Sequence, residues 1–206
     1  MPMKVTLLCL LLLIGGAAQA AELSLAVSNA SGAALENAVA TLTPVGRASS
    51  PKPAKAVIDQ INKEFVPYVS VVPVGSAVSF PNQDNIRHSV YSFSPAKKFE
   101  LKLYSGTQAE PVVFDKAGVV ALGCNIHDWM IAYVYVTEAP FYGRSDARGN
   151  IAFSGIEPGE YELRVWHPDS AAPEVVRPLR LGNEAQRLSQ SLPAKARAAA
   201  GGSHSH

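Results

Sequence analysis

Cysteine is nearly absent from this chain, and several other things are missing with it. Only Cys9 and Cys124 occur among 206 residues, and methionine occurs three times. Formal net charge is +1, so no basic field exists to draw nucleic acid. The one long apolar run, residues 5–14, is too short for a transmembrane helix. There is no phosphate loop, no nucleophile with a base partner and no paired-acid constellation. Asp146 and Glu160 read as turn and strand-surface residues. These absences argue against an enzyme.

Residues 1–20 read as a secretory signal. Lys4 gives the positive start, residues 5–14 the apolar core, and Ala18-Gln19-Ala20 a small-x-small cleavage site. Cys9 sits too early for a lipoprotein site and should leave with the signal. The mature chain then keeps Cys124 alone, with no internal disulfide open to it. A free thiol in an oxidising compartment is a liability. Metal coordination would protect it; the plainer reading is a buried Cys packed as a small hydrophobe.

Fifteen Gly and fifteen Pro, spread along the chain, suggest many short strands joined by turns. Residues 23–27 alternate apolar and polar, 29–32 read as a turn, and 38–43 as a second strand. Residues 46–56 read as a linker rich in Pro, Ser, Ala and Lys. Residues 57–137 read as a dense β region of about seven strands, as in an antiparallel sandwich. Candidate strands are 65–72, 77–80, 88–93, 99–104, 112–114, 119–122 and 131–136. A second β unit follows at 138–193, with turns at 145–150 and 157–159 and strands at 151–153, 161–166 and 177–181. Residues 184–192 could make a short helix. Residues 194–206 are Ala-, Gly- and Ser-rich and read as a disordered tail.

The chemistry concentrates in Cys124-Asn125-Ile126-His127-Asp128-Trp129-Met130. Strand-like runs lead into and out of this Cys-x-x-His-x-x-Met loop, and His88 stands upstream after an Asn/Asp-rich turn. Each ligand alone has an ordinary explanation: His127 a turn residue, Met130 core filler, His88 a surface histidine. Together they form the donor set of a mononuclear copper site: thiolate, two imidazoles and a weak thioether. Three ligands from one loop need a fourth from elsewhere, and a loop and a neighbouring strand end can meet at one pole of a sandwich.

Residues 57–136 resemble the cupredoxins, the blue copper proteins of plastocyanin and amicyanin type. The matching pieces are Phe65-Val66-Pro67, Val74-Gly75-Ser76-Ala77-Val78-Ser79-Phe80, Asn82-Gln83-Asp84, His88-Ser89-Val90, Gly118-Val119 and the Cys124 loop. The two-residue gap between His127 and Met130 looks most like the short amicyanin loop. The resemblance implies an all-β Greek-key sandwich and one Cu(I)/Cu(II) ion, with His88, Cys124 and His127 as strong ligands and Met130 as the axial one. Ser89 stands where cupredoxins commonly carry Asn; it is either a hydrogen-bonding partner of the ligand loops or a strand-edge Ser.

The flanking residues 21–45 and 138–193 resemble the carboxypeptidase regulatory-like β-sandwich. The likeness lies in Leu35-Glu36-Asn37-Ala38-Val39-Ala40, in Ser145-Asp146-Ala147-Arg148-Gly149-Asn150-Ile151-Ala152-Phe153 and in Pro158-Gly159-Glu160-Tyr161-Glu162-Leu163-Arg164-Val165. A copper-type sandwich inserted in, or fused to, this second small Ig-like sandwich looks like the layout of bacterial methylamine utilization proteins.

Three functions follow from these readings. The first is an exported, periplasmic electron carrier, with a redox protein docking near His127, Ile126 and Trp129; an inward-packed Trp129 is the ordinary alternative. The second is a copper-delivery protein, against which the single mature Met argues. The third is an interaction module with incidental metal, which leaves the Cys124 loop unexplained. Zinc fits poorly, because thioether is a poor zinc ligand. His167 reads as a strand-end residue, Gln60 has no assignable chemistry, and His204 and His206 read as a solvated tail.

Overall fold

The computed structural model describes residues 21–106 and 110–195. The proposed signal, Cys9, His204 and His206 lie outside the described residues. Every regular element among the described residues is a β-strand. In chain order these are β1 (Ala21–Asn29), β2 (Val39–Pro44), β3 (Lys55–Val57), β4 (Asp59–Ile61), β5 (Glu64–Val66), β6 (Val69–Pro73), β7 (Ser76–Ser79), β8 (His88–Ser94) and β9 (Lys97–Tyr104). They continue as β10 (Val112–Phe114), β11 (Gly118–Gly123), β12 (Ile131–Thr137), β13 (Phe141–Arg144), β14 (Asn150–Ile156), β15 (Gly159–Trp166), β16 (Val175–Leu181) and β17 (Gln186–Leu192).

Alternation drives the first strand. Leu23, Leu25 and Val27 face inward while Glu22, Ser24 and Ala26 face water. Asn29 closes it, its Oδ1 accepting the amides of Ser31 at 3.0 Å and Ala33 at 2.9 Å. The 145–150 turn is built the same way. Asp146 Oδ1 accepts the amides of Arg148 and Asn150 at 2.9 and 2.8 Å. Gly149 takes φ +77° there, and a Cβ on it would lie 2.3 Å from the Val27 carbonyl oxygen, so only Gly fits.

Pairing divides the strands into two groups. β1 and β2 pair only with strands from the end of the chain. They form the sheets β14-β1-β17 and β13-β2-β15-β16, which enclose a core of Leu23, Leu25, Leu42, Phe153, Tyr161 and Leu163 among others. Strands β3 to β12 pair only among themselves. The five-stranded sheet β6-β12-β11-β8-β9 packs on the three-stranded β10-β7-β3 around Phe80, Val90, Phe114, Leu122 and Val134. A small hairpin, β4-β5, sits beside them.

The two groups meet along an aromatic seam. Val39, Val69 and the largely buried Tyr135 form its centre, with Tyr68, Tyr133 and Trp166 packed on them. Trp166 stacks against Tyr133 and Tyr135, with ring centroids 5.7 and 5.8 Å away. The Tyr135 hydroxyl donates to Glu174, which Arg164 also holds at 3.0 Å. Arg144 donates across the seam to the Val69 carbonyl at 3.1 Å.

The structure departs from the sequence reading in four places. Residues 186–192 form a strand, not a helix. β17 runs parallel to β1, and Leu188 and Leu192 lie on its covered face at period two. Residues 65–72 are two strands, because Pro67 interrupts the ladder between β5 and β6. The 59–66 hairpin is present although its strands are three residues long and carry little apolar pattern. Ala194, placed in the tail, bridges Ser170 and is nearly buried.

Candidate metal centre

Three neighbouring strands of the five-stranded sheet bring the donor residues to one end. His88 opens β8, Cys124 follows the last residue of β11, and Met130 immediately precedes β12. β11 lies between β12 and β8, and Gly123 pairs with Tyr91. The residues 124–130 therefore arch over the end of the sheet, and the Met130 amide donates to the His127 carbonyl at 2.9 Å to close the arch.

Cys124 Sγ stands 3.9 Å from His88 Nδ1 and 4.0 Å from His127 Nδ1. The three donor atoms all lie within 4.8 Å of one another. Metal bonds of about 2.0–2.3 Å at trigonal angles would put such donors roughly 3.7 Å apart. The triangle is thus the right size for one ion, and its donor chemistry, one thiolate and two imidazoles, suits copper. A structural zinc would want a fourth Cys or His donor; among the described residues, three converge.

The site is dry on one side and open on the other. His88 is fully buried, Cys124 and Met130 nearly so, and His127 is half-buried. A surface histidine at position 88 is therefore not what the structure contains. Burial, then the nearby His88 and Lys63, hold the His127 pKa below the usual histidine value. A neutral imidazole is the form that ligates. The two imidazole rings meet edge-on, 4.9 Å between centroids. Trp129 lies 5.2 Å from the His127 ring and is 55% exposed; Ile126 is 49% exposed. The inward-packed alternative for Trp129 does not occur, because the tight arch turns its side chain outward.

Polar contacts lock the two segments that carry the candidate ligands. Ser89 is buried, and its Oγ accepts the Asn125 amide at 2.9 Å and lies 3.8 Å from Cys124 Sγ. Asn82 donates to the carbonyls of Ile86 at 2.8 Å and Tyr104 at 3.0 Å, shaping the segment that carries His88. Gln60 proves structural. Its Nε2 donates to the Tyr104 hydroxyl at 2.6 Å and to the carbonyls of Phe80 and Pro81, both at 3.3 Å.

Asp84, quoted in the sequence likeness only as part of Asn82-Gln83-Asp84, gains a role from the structure. Its Oδ2 lies within hydrogen-bond distance of His88 Nε2, at 2.8 Å. Burial pushes its pKa up, but the Lys63 amide, the His88 ring and the Asn62 amide together bring it below the ordinary carboxylate value. The signal available was a carboxylate four residues before a histidine, too common to single out.

His167 takes no part in the cluster. It is buried, its Nε2 donates to the Glu36 carbonyl at 2.9 Å, and its Nδ1 accepts the Asp169 amide at 3.1 Å. It helps line a cavity of about 310 Å³ between the two strand groups, with Glu36, Tyr68, Trp129 and Met130 also in the wall.

No family model matches the chain, and no curated protein matches it. Solved structures do resemble part of it. A copper-containing nitrite reductase from Thermus scotoductus SA-01 is 24% identical over 47% of this chain, at a TM-score of 0.39; the match spans only 25% of that protein. A purple cupredoxin from Nitrosopumilus maritimus is 23% identical, covering 40% of this chain and 99% of its own, at 0.36. A mutant of amicyanin in its reduced state is 24% identical, covering 47% and 99%, also at 0.36. At these levels the likenesses say nothing about chemistry, which the side chains themselves must carry.

Proposed function

We propose that this protein is an exported, periplasmic carrier of single electrons that holds one copper ion through His88, Cys124, His127 and Met130. The observation that carries the reading is the triangle of Cys124 Sγ with the two Nδ1 atoms at 3.9 and 4.0 Å, sealed from water on the Cys124 side. Bound copper would supply the chemistry by alternating between Cu(I) and Cu(II).

The chain's own residues do the rest. Cys124 gives a sulfur that burial shields from oxidants, and it is the free cysteine among the described residues. His88 and His127 offer ring nitrogens from two different segments. Met130, anchored in the core cluster with Cys124, adds a weak thioether. The hydrogen bonds of Ser89 and Asn82 stiffen the ligand segments, so little has to move as charge changes. Half-buried His127, with exposed Ile126 and Trp129 beside it, gives an edge where a redox protein could dock. Residues 57–137 are the cupredoxin-like unit in this proposal. The flanking strands act as a regulatory-like sandwich supporting it, with no bond-making chemistry of their own.

The test is reversible redox cycling of the purified protein loaded with Cu(II). One copper per chain, with a visible band that one electron bleaches and reoxidation restores, is the expected result. Binding of Cu(I) alone, with no coloured oxidised state, would replace electron carriage with copper delivery. No copper binding would leave an interaction module.

A further inference from the structure

The tip of the β4–β5 hairpin is an unusual piece of backbone. Asn62 and Lys63 both take left-handed conformations, with φ of 55° and 61°. A two-residue turn with both φ positive matches the twist of a tight hairpin, yet Lys is a poor residue for it. The strain has a use. Successive left-handed residues turn their N–H groups to one side, forming a concave anion seat. Here both point at one carboxylate: the Asn62 amide donates to Asp84 Oδ1 at 2.7 Å and the Lys63 amide to Asp84 Oδ2 at 2.8 Å.

Asp84 is held from its other side too. Its own amide donates to Asn82 Oδ1 at 3.0 Å, and Asn82 is pinned to Ile86 and Tyr104. What remains of Oδ2 meets His88 Nε2 at 2.8 Å. An ionised carboxylate only accepts, so Nε2 must carry the ring proton. In the neutral ring, the form that ligates, Nδ1 is then the bare lone pair, and it is the atom facing Cys124 Sγ at 3.9 Å.

We propose that Asp84, seated on the Asn62 and Lys63 amides, is a positioning residue of the metal centre: it fixes His88 in the Nε2–H tautomer, aims Nδ1 at the ion and, by its negative charge, favours the oxidised metal. The tautomer is a property of the chain itself; the bias on oxidation state rests on the copper reading above. A carboxylate behind a ligating imidazole orients the ring and raises its basicity, and losing such a partner typically changes metal affinity about 10–100-fold. A more basic imidazole and a nearby negative charge both help Cu(II) more than Cu(I). Exposed Lys63 contributes its backbone to the seat, so its side-chain charge is dispensable to the hydrogen bonds.

Two measurements test this. In the metal-free protein, at a pH where the His88 ring carries one proton, nitrogen-15 NMR of the imidazoles should show it as the Nε2–H tautomer; an Nδ1–H tautomer would overturn the proposal. In the copper-loaded protein, Asp84→Asn should keep the visible band but lower the Cu(II)-to-Cu(I) affinity ratio about tenfold. That ratio converts to a rise of about 59 mV in reduction potential. An Asp84→Asn protein with an intact spectrum and an unchanged potential would also overturn it, reducing Asp84 to a tether. Should Asp84→Asn not fold, the wild-type tautomer still decides. A protein that shows the Nε2–H tautomer yet binds no copper supports the positioning role and contradicts the carrier reading.

Discussion

Ser89 Oγ and Cys124 Sγ stand 3.8 Å apart across neighbouring strands, while the same Ser89 oxygen accepts the Asn125 amide at 2.9 Å. One small hydroxyl thus joins the segment carrying His88 to the segment carrying the other donors. Its proton is free to point at sulfur. A donor to thiolate stabilises the reduced, more negative state. Ser89→Ala should therefore lower the reduction potential, by roughly 20–40 mV if the bond contributes ~0.5–1 kcal/mol. Voltammetry of the copper-loaded variant checks it. A rise in potential would contradict the assignment and would make Ser89 and Asp84 act in the same direction.

Met130→Gln should retain copper and change its potential. Weak axial thioether donors tune a copper site more than they hold it. Copper content by mass spectrometry and the potential by voltammetry are the measurements. Complete loss of copper would mean that Met130 is more than a weak ligand.

His167→Ala should leave the copper spectrum unchanged and destabilise the chain by about 1–3 kcal/mol, because the Glu36 carbonyl and the Asp169 amide both lose a buried partner. Urea unfolding and the visible spectrum separate the two effects. A bleached spectrum would place His167 at the metal in place of His88.

Tyr104 predicts an alkaline limit to stability. Burial, chiefly, raises its pKa to about 12; the Gln60 bond opposes this and the charge on Cys124 adds to it. The folded value lies above the unfolded value of about 10. Its contribution is therefore complete below pH ~10 and is lost as pH rises through about 12. Urea midpoints should fall between pH 10 and 11 more steeply in the native chain than in Tyr104→Phe, with little Tyr104-dependent change between pH 8 and 10. Parallel slopes would contradict the assignment.

What could be read from the sequence, and what could not, divides along physical lines. The candidate metal loop stood out because Cys124, His127 and Met130 are soft or borderline donors packed into seven residues, and the structure places His88, also singled out from the sequence, with Cys124 and His127, their donor atoms within 4.8 Å of one another. The all-β character was legible from alternation in strands such as β1 and β15. β17 was not, because Gln186-Arg187-Leu188-Ser189 has helix-tolerant residues and gains its strand form only by pairing with β1, at the far end of the chain. Asp84 was not legible either. Its role depends on a meeting with the amides of Asn62 and Lys63, and the hairpin that carries them has no apolar pattern to announce it. The outward Trp129 depends on how the arch closes through the Met130 amide, a tertiary fact.

The most direct test of the copper assignment compares the native protein with Cys124→Ser after one equivalent of Cu(II), by visible absorption and EPR. The native protein should show an intense thiolate-to-copper band with narrow hyperfine splitting, and the variant neither. A Cys124→Ser protein with the same band, or a native protein that takes up Cu(II) without one, would contradict it.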